Sequence, residues 1–320
     1  MNKKEIALLT ETESLERLLY RLPKNHSQRR FLEAELYRSA AGERGEDRLR
    51  RKFIEFDFEE SYRILRNVSL SMGDWKVQID GLLLTNRGVI IVESKNISGQ
   101  LHFDEKTGEF SRIDREGGKA VMEDPTSQLN KHIRFLTKFF RMKNIDFNVD
   151  GLVVFTSKQC EFLTKPPHNY VCKTYQMVDY LHYILQTFPQ SASHSNLPDT
   201  VELLQKHQTP FKRQPLCQRY FIASDELQMG ILCTYCKAHR IIRKHKTGWL
   251  CEACHTIDDQ AFQCAVQEYF SLIDRNLTNK RLREFCNIES PYTASRLLAT
   301  FDFAVSGAMR NRTYQLQNKE

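Results

Sequence analysis

Residues 77–96 read VQIDGLLLTNRGVIIVESKN, with Asp80 thirteen positions before Glu93 and Lys95 two further on. Val77, Ile79 and Gly81 alternate with Gln78, Asp80 and Leu82, which predicts a strand. Thr85-Asn86-Arg87-Gly88 reads as a turn, and Val89 to Val92 as a second strand buried on both faces. Strand side chains repeat every two residues, so Glu93 and Lys95 share a face. Two carboxylates and an ammonium are therefore expected to converge at a sheet edge.

Such a cluster has a chemical use. Neighbouring carboxylates repel, and a divalent cation relieves the repulsion. Mg²⁺ binds through one or two carboxylates and keeps several waters, which suits it to act on a phosphodiester. Lys95 would orient or deprotonate the attacking water, or offset charge on the transition state. The same residues also describe a solvated hairpin with a weak Glu93–Lys95 surface pair.

Upstream, a helical pattern runs from about Gln28 to Phe56 and contains Gly42 and Gly45. Each interior glycine costs a helix about 1 kcal/mol relative to alanine, so close approach to another element is expected. Gly42-Glu43-Arg44-Gly45-Glu46, then Gln78-Ile79-Asp80, then Glu93-Ser94-Lys95-Asn96 with Ser98-Gly99 together resemble the nuclease-related domain, NERD, of the PD-(D/E)xK nuclease superfamily. The resemblance runs from about residue 40 to 157. Asp124-Pro125-Thr126-Ser127-Gln128, followed by His132 and Leu136, is similar to the family's Pro-x-x-Gln helix start, and Gly151 to Thr156 to its later core strand. The resemblance implies an α/β, restriction-endonuclease-like core, a mixed central sheet flanked by helices. It implies a site of Glu46, Asp80, Glu93 and Lys95 with Gln128 in support. Asp80 and Glu93 would hold Mg²⁺ or Mn²⁺. Two departures are Gly81, where histidine is common, and Asp124, where asparagine is common.

A chain of 320 residues with 41% apolar content can hold two or three domains with ordinary cores. It has no run of eighteen apolar residues, so no membrane span is expected. Its start is interrupted by Glu5, Glu11 and Glu13 and does not resemble a secretory signal. Nine cysteines without such a signal point to metal binding or reduced thiols, and to a cytoplasmic protein.

Cys233-Thr-Tyr-Cys236, fourteen residues, and Cys251-Glu-Ala-Cys254 have the spacing of two zinc knuckles. Four thiolates leave no open position, so the predicted Zn²⁺ is structural. Ile241-Ile242 and Trp249-Leu250 are expected as the ribbon's strands, with the turn near Lys246-Thr247-Gly248. Lys237, Arg240, Arg243, Lys244 and Lys246 lie between the knuckles with no acid among them. With the net charge of +7, they fit a nucleic-acid partner, most readily DNA. A solvated basic loop fits the same run. Cys160, Cys172, Cys217, Cys264 and Cys286 lack ligand spacing and read as buried small hydrophobes.

Beyond the ribbon, Ala261 to Leu272 and Lys280 to Cys286 are predicted helices, the second capped from 276–279; a turn at 288–292 and a helix over 293–300 follow. This order resembles a helix-turn-helix, with a wing at 307–316. Ser295 and Arg296 would lie on the recognition helix, and Arg310 and Arg312 would meet phosphates. A small helical domain that only packs the ribbon has the same pattern. At the front, the leucines of Ile6 to Leu22 form an apolar face for packing or self-association, ended by Pro23. The expected division is an N-terminal helix to residue 27, a nuclease-like domain at 28–190, a helical linker at 191–228 containing a Ser- and His-rich stretch before Pro198, a zinc ribbon at 229–260 and a winged-helix-like domain at 261–320. The predicted function is Mg²⁺-dependent hydrolysis of DNA. A DNA-binding regulator on an inert nuclease scaffold and a protein-binding adaptor are the alternatives.

Overall fold

The computed structural model describes residues 3–145, 147–164, 166, 170–189, 196–209, 213–237, 243–244, 248–308 and 311–317, with 243–244 given as backbone alone. Two compact units are present, one of residues 41–211 and one joining 1–40 to 212–320. The first two helices are α1 (Glu11–Arg21) and α2 (Arg29–Glu55), and the second of them matches the helix expected over 28–56.

In the unit of residues 41–211, the strands β1 (Tyr62–Met72), β2 (Trp75–Thr85) and β3 (Gly88–Lys95) form an antiparallel meander. The strands β4 (Gly99–Phe103), β5 (Phe110–Ile113) and β6 (Lys119–Met122) follow, then α3 (Pro125–Met142), β7 (Asn148–Phe155), β8 (Cys160–Phe162), β9 (Val171–Lys173), α4 (Met177–Thr187) and α5 (Leu197–Lys206). The central sheet is mixed, in the order β1-β2-β3-β7-β9, with β7 parallel to both β3 and β9. A smaller sheet has the order β6-β5-β4-β8. Glu93 and Lys95 therefore stand at the carboxyl end of a central strand, which corrects the expectation of a sheet edge.

Alternation along β3 sorts its side chains between two cores. Val89 and Ile91 pack with Leu129, Phe135 and Leu136 of α3, whereas Ile90 and Val92 pack with Leu49 and Phe53 of α2 and Leu181 and Ile184 of α4. Full burial stabilises each of these side chains by about 1.5–3 kcal/mol relative to exposure. Helix α3 starts where Asp124 accepts the Thr126 N–H at 2.8 Å, with Pro125 preset for the first turn. The carboxylate cap thus survives the departure from asparagine.

The simple alternation predicted for β2 fails at one place. Val77 and Ile79 face the α3 core, yet so do Leu82 and Leu84, while Leu83 faces the other. The slip lies opposite Asn67, whose φ of 51° is left-handed. Pairing of β2 with β3 ends at Gly81 and Val92, and beyond it the Ser94 N–H donates to Asp80 Oδ2 at 2.8 Å. Asp80 thus takes over a strand hydrogen bond with its side chain.

Gly81 explains its own departure from the family pattern. A Cβ there would lie 2.9 Å from two ring atoms of Phe53, which is 5% exposed. Gly81→His is expected to destabilise the fold by about 1–3 kcal/mol through overpacking. Denaturant unfolding measures it, and adding Phe53→Ala is expected to recover part of the loss; equal stability of Gly81→His and the parent would refute the packing account.

The other unit begins with α1, whose Thr10 and Glu13 form a reciprocal capping box. Leu15, Leu18, Leu19 and Leu22 are buried with Leu32, Leu216, Ile222, Leu227 and Leu272. Of the leucine face read as packing or self-association, these four leucines pack within the unit, while Leu8 is exposed. Its later elements are α6 (Leu216–Arg219), β10 (Arg243–Lys244), β11 (Trp249–Leu250), β12 (Ile257–Asp258), α7 (Ala261–Leu272), β13 (Leu277–Thr278), α8 (Asn279–Cys286), α9 (Pro291–Leu298), β14 (Phe303–Ser306) and β15 (Thr313–Leu316). Arg21 of α1 is buried, paired with Glu268 of α7, and donates to the carbonyls of Gln228 and Gly230. That ion pair and the leucines hold the first forty residues beside a segment two hundred residues away. The segment read as a linker divides, since Leu197 and Leu204 of α5 enter the α3 core while Leu216 of α6 joins α1.

Candidate active site and metal centre

Three side chains form a chain of hydrogen bonds on the α3 side of β3. Lys95 Nζ donates to Gln128 Oε1 at 2.5 Å, and Gln128 Nε2 donates to Glu93 Oε2 at 3.0 Å. The amide has one orientation that serves both neighbours, its oxygen to the ammonium and its nitrogen to the carboxylate. His132, one turn further along α3, brings Nδ1 to 2.5 Å from Glu93 Oε1. Asp80 Oδ2 also accepts from the Ser94 hydroxyl at 2.8 Å. Glu93 is buried, and this burial pushes its carboxyl above the ordinary value, with Asp80's charge acting the same way and the His132 hydrogen bond opposing both.

The expected set is brought together in part. Asp80, Glu93, Lys95 and Gln128 meet at the carboxyl end of β3. Glu46 is exposed on α2 and is not gathered with the two acids into a ligand group within 4.8 Å. Its neighbour Gly45 does make the close approach inferred for a helix glycine, since a Cβ there would meet Thr156 Oγ1 at 2.8 Å and Asn96 Cβ at 3.0 Å. Gly42 has nothing within 4 Å. Arg48 fastens this part of α2 to the strand ends, donating to the Thr156 carbonyl at 2.7 Å and to Asn96 Oδ1 at 3.3 Å. The residue missed as a site member is His132. Its signal was present, because it lies four residues after Gln128 and so falls on the same helix face.

The four cysteines of the two knuckles form the second site. Cys233 and Cys254 sulfurs are 3.7 Å apart, Cys236 and Cys251 sulfurs are 3.6 Å apart, and all four lie within 4.8 Å of one another. Disulfides require about 2.05 Å, whereas tetrahedral bonds of about 2.3 Å to zinc put sulfurs about 3.8 Å apart. The nine cysteines are free, and this quartet fits a structural zinc site. The residues after each knuckle, Lys237 and His255, take left-handed φ of 50° and 56°, so both loops turn alike. Buried Asp258 braces the first knuckle by accepting from Thr234 N at 2.9 Å and from its hydroxyl at 2.7 Å. The cluster's sheet is β10-β11-β12. Its third strand, Ile257–Asp258, was not expected, and Ile241-Ile242 lie outside the described residues.

Residues 41–156 match the family model of the nuclease-related domain. All five expected site residues fall within that match. An uncharacterized protein of Bacillus anthracis is 33% identical over 96 residues, covering 29% of this chain and 43% of that protein. The chain thus spans less than half the length of this relative. No solved structure matches the chain. The match stops before β9 and the cysteine cluster, so it covers β1 to β7, α3 and the later half of α2. No described helix is long and apolar enough to cross a membrane.

The expected nucleic-acid contacts are only partly described. Arg240, Lys246 and Arg310 lie outside the described residues, as do the side chains of Arg243 and Lys244. Lys237 Nζ stands 5.4 Å from the Tyr20 ring centroid. Arg296 is exposed on α9, and Arg312 is exposed just before β15.

Proposed function

We propose that the protein is a metal-dependent nuclease that hydrolyses DNA. The observation that carries this reading is the Lys95–Gln128–Glu93 chain of hydrogen bonds beside Asp80, inside the nuclease-related domain. Two carboxylates at one strand end, one with its acidity weakened by burial and by the other's charge, suit a divalent cation such as Mg²⁺. When bound, the ion would supply Lewis-acid polarisation of a phosphoryl oxygen. Asp80, held by Ser94, and Glu93, held by His132 and Gln128, would keep their oxygens oriented for it. Gln128 aims the Lys95 ammonium at the same place, where it offsets charge developing on the phosphate or orients the attacking water. Glu46, at the exposed end of the Gly45 contact, would act through a water. Cleavage of purified DNA with Mg²⁺, lost in Asp80→Ala and Lys95→Ala proteins of unchanged fold, tests the reading; undiminished cleavage in both would overturn it.

In the same reading, the C-terminal segment holds the DNA. Strand β13 pairs with β15, which pairs with β14, and α8 and α9 are joined by a short turn. This order supports a winged helix, with α9 presenting Arg296 and the β14–β15 hairpin presenting Arg312. The cysteine cluster would hold Zn²⁺ and carry the basic run at 237–246. Arg296→Ala and Arg312→Ala are each expected to weaken DNA binding and to reduce the slope of log affinity against log salt by about 1. Fluorescence anisotropy across a salt series measures this, and an unchanged slope in the double variant would remove these arginines from the interface.

A further inference from the structure

The unit of residues 41–211 contains a cavity of about 440 Å³, within the range of about 300–1,000 Å³ usual for small-ligand pockets. Its floor is Phe155 and Thr156 at the end of β7, and the Thr156 N–H donates to the Lys95 carbonyl at 2.9 Å. The cavity therefore lies beside the Lys95 main chain, lined by α2 while the Lys95 ammonium stands on the α3 side of β3, and it opens beyond the carboxyl ends of parallel strands, where α/β sheets bind ligands.

The lining carries five cations, Arg48, Arg51, Lys52, Lys158 and Lys173, against the single carboxylate of Glu55. Glu55 is paired with Lys52, and Arg51 with Asp47. Arg48 bonds only to uncharged oxygens in the contacts described above. Thr156 is 2% exposed, and its Oγ1 lacks a hydrogen-bond partner among the described residues. That oxygen is closed off from solvent beside Gly45, so Thr156 lines the cavity without offering its hydroxyl to a ligand. Tyr175, 71% exposed, adds an aromatic face to the wall. Cations and an aromatic face suit a phosphate joined to a flat base.

We infer that this cavity holds one nucleotide of the substrate strand next to the cleavage position. Arg48, Lys158 and Lys173 take its phosphate, and Tyr175 stacks on its base. The inference rests on the reading of the domain as one that handles nucleic acid.

Isothermal titration of the full chain, in buffer without Mg²⁺, compares deoxyadenosine, deoxyadenosine 5′-monophosphate and a 5′-phosphorylated six-nucleotide strand. The monophosphate is expected to bind at least about tenfold tighter than the nucleoside, and the strand tighter than the monophosphate. Lys158 and Tyr175 are exposed, so Lys158→Glu and Tyr175→Ala leave the fold intact. Each is expected to weaken monophosphate binding at least about fivefold, the lower end of what losing one base–aromatic stack costs. Equal affinity for nucleoside and monophosphate, or monophosphate binding unchanged in both variants, would overturn the pocket. A strand that binds no tighter than the monophosphate would overturn the assignment to the substrate strand. Binding is read without cleavage: a protein that cuts DNA but ignores the monophosphate loses only this pocket, and one that binds it but never cuts loses only the nuclease reading.

Discussion

Glu93→Gln is expected to lower Mg²⁺-dependent DNA cleavage by about a thousandfold or more, since in the proposed mechanism several kcal/mol of transition-state stabilisation would depend on the ion that Glu93 would hold. The same variant is expected to melt at the same temperature as the parent, or higher, when both are free of Mg²⁺. The reason is the sign of the Glu93 shift. Burial, and then Asp80's charge, raise its carboxyl above the unfolded value, so the folded state favours the proton. Stability from this group is full below about pH 4.5 and is lost as pH rises through the raised value. At neutral pH the metal-free parent carries that loss, and glutamine, similar in shape and uncharged, does not. Mg²⁺ is then expected to raise the melting temperature of the parent more at pH 8 than at pH 5, and that of Glu93→Gln at neither. Thermal melts with and without Mg²⁺ at the two pH values decide this. A Glu93→Gln protein that still cleaves DNA, or that responds to Mg²⁺ like the parent, would remove Glu93 from the metal site.

Loss of one ligand from the cysteine quartet proposed to hold zinc is expected to have the second large effect. Cys251→Ser should drop bound zinc, by elemental analysis, from one ion per chain to well below one, and should lower the melting temperature of its unit by about 10 °C or more. Two of the four ligands are themselves core residues. Cys233 and Cys251 are buried among Phe262, Val266, Tyr269 and Phe285, so loosening the knuckles disturbs the packing of α7 and α8. Serine at 251 leaves three thiolates, and the geometry no longer closes. A strong chelator should reproduce the loss in the parent protein and added Zn²⁺ should reverse it. A variant with full stability and a parent purified without zinc would together refute a structural metal here.

Much of the domain was legible because short-range periodicity and the chemistry of a few residues carry it. Glu93 and Lys95 had to share a face whatever sheet they joined, and Gln128 and His132 had to share one on α3. Asp124-Pro125 announced a helix start through a cap and a preset φ. The cysteine spacing predicted the quartet because two knuckles and four thiolates are a local requirement. Other features were not legible, since they depend on partners distant in sequence. The place of β3 in the middle of the sheet follows from β7 pairing with it, partner residues lying sixty positions apart, as in Gly88 with Asn148 and Lys95 with Phe155. The slip at Asp80 depends on Asn67 in the neighbouring strand, and Gly81 is glycine because Phe53 of another element fills its space.

By itself, the sequence determined the alternation, the caps, the four-thiolate spacing and the presence of an acid, a lysine and a glutamine at the positions that later meet. Tertiary structure alone decided which of these groups meet. It joined Lys95 to Glu93 through Gln128, added His132, left Glu46 exposed on its helix, and brought the first forty residues to the C-terminal segment through Arg21 and Glu268. Periodicity acts over one or two turns of chain, whereas a buried carboxylate or guanidinium must find its partner wherever the fold supplies one.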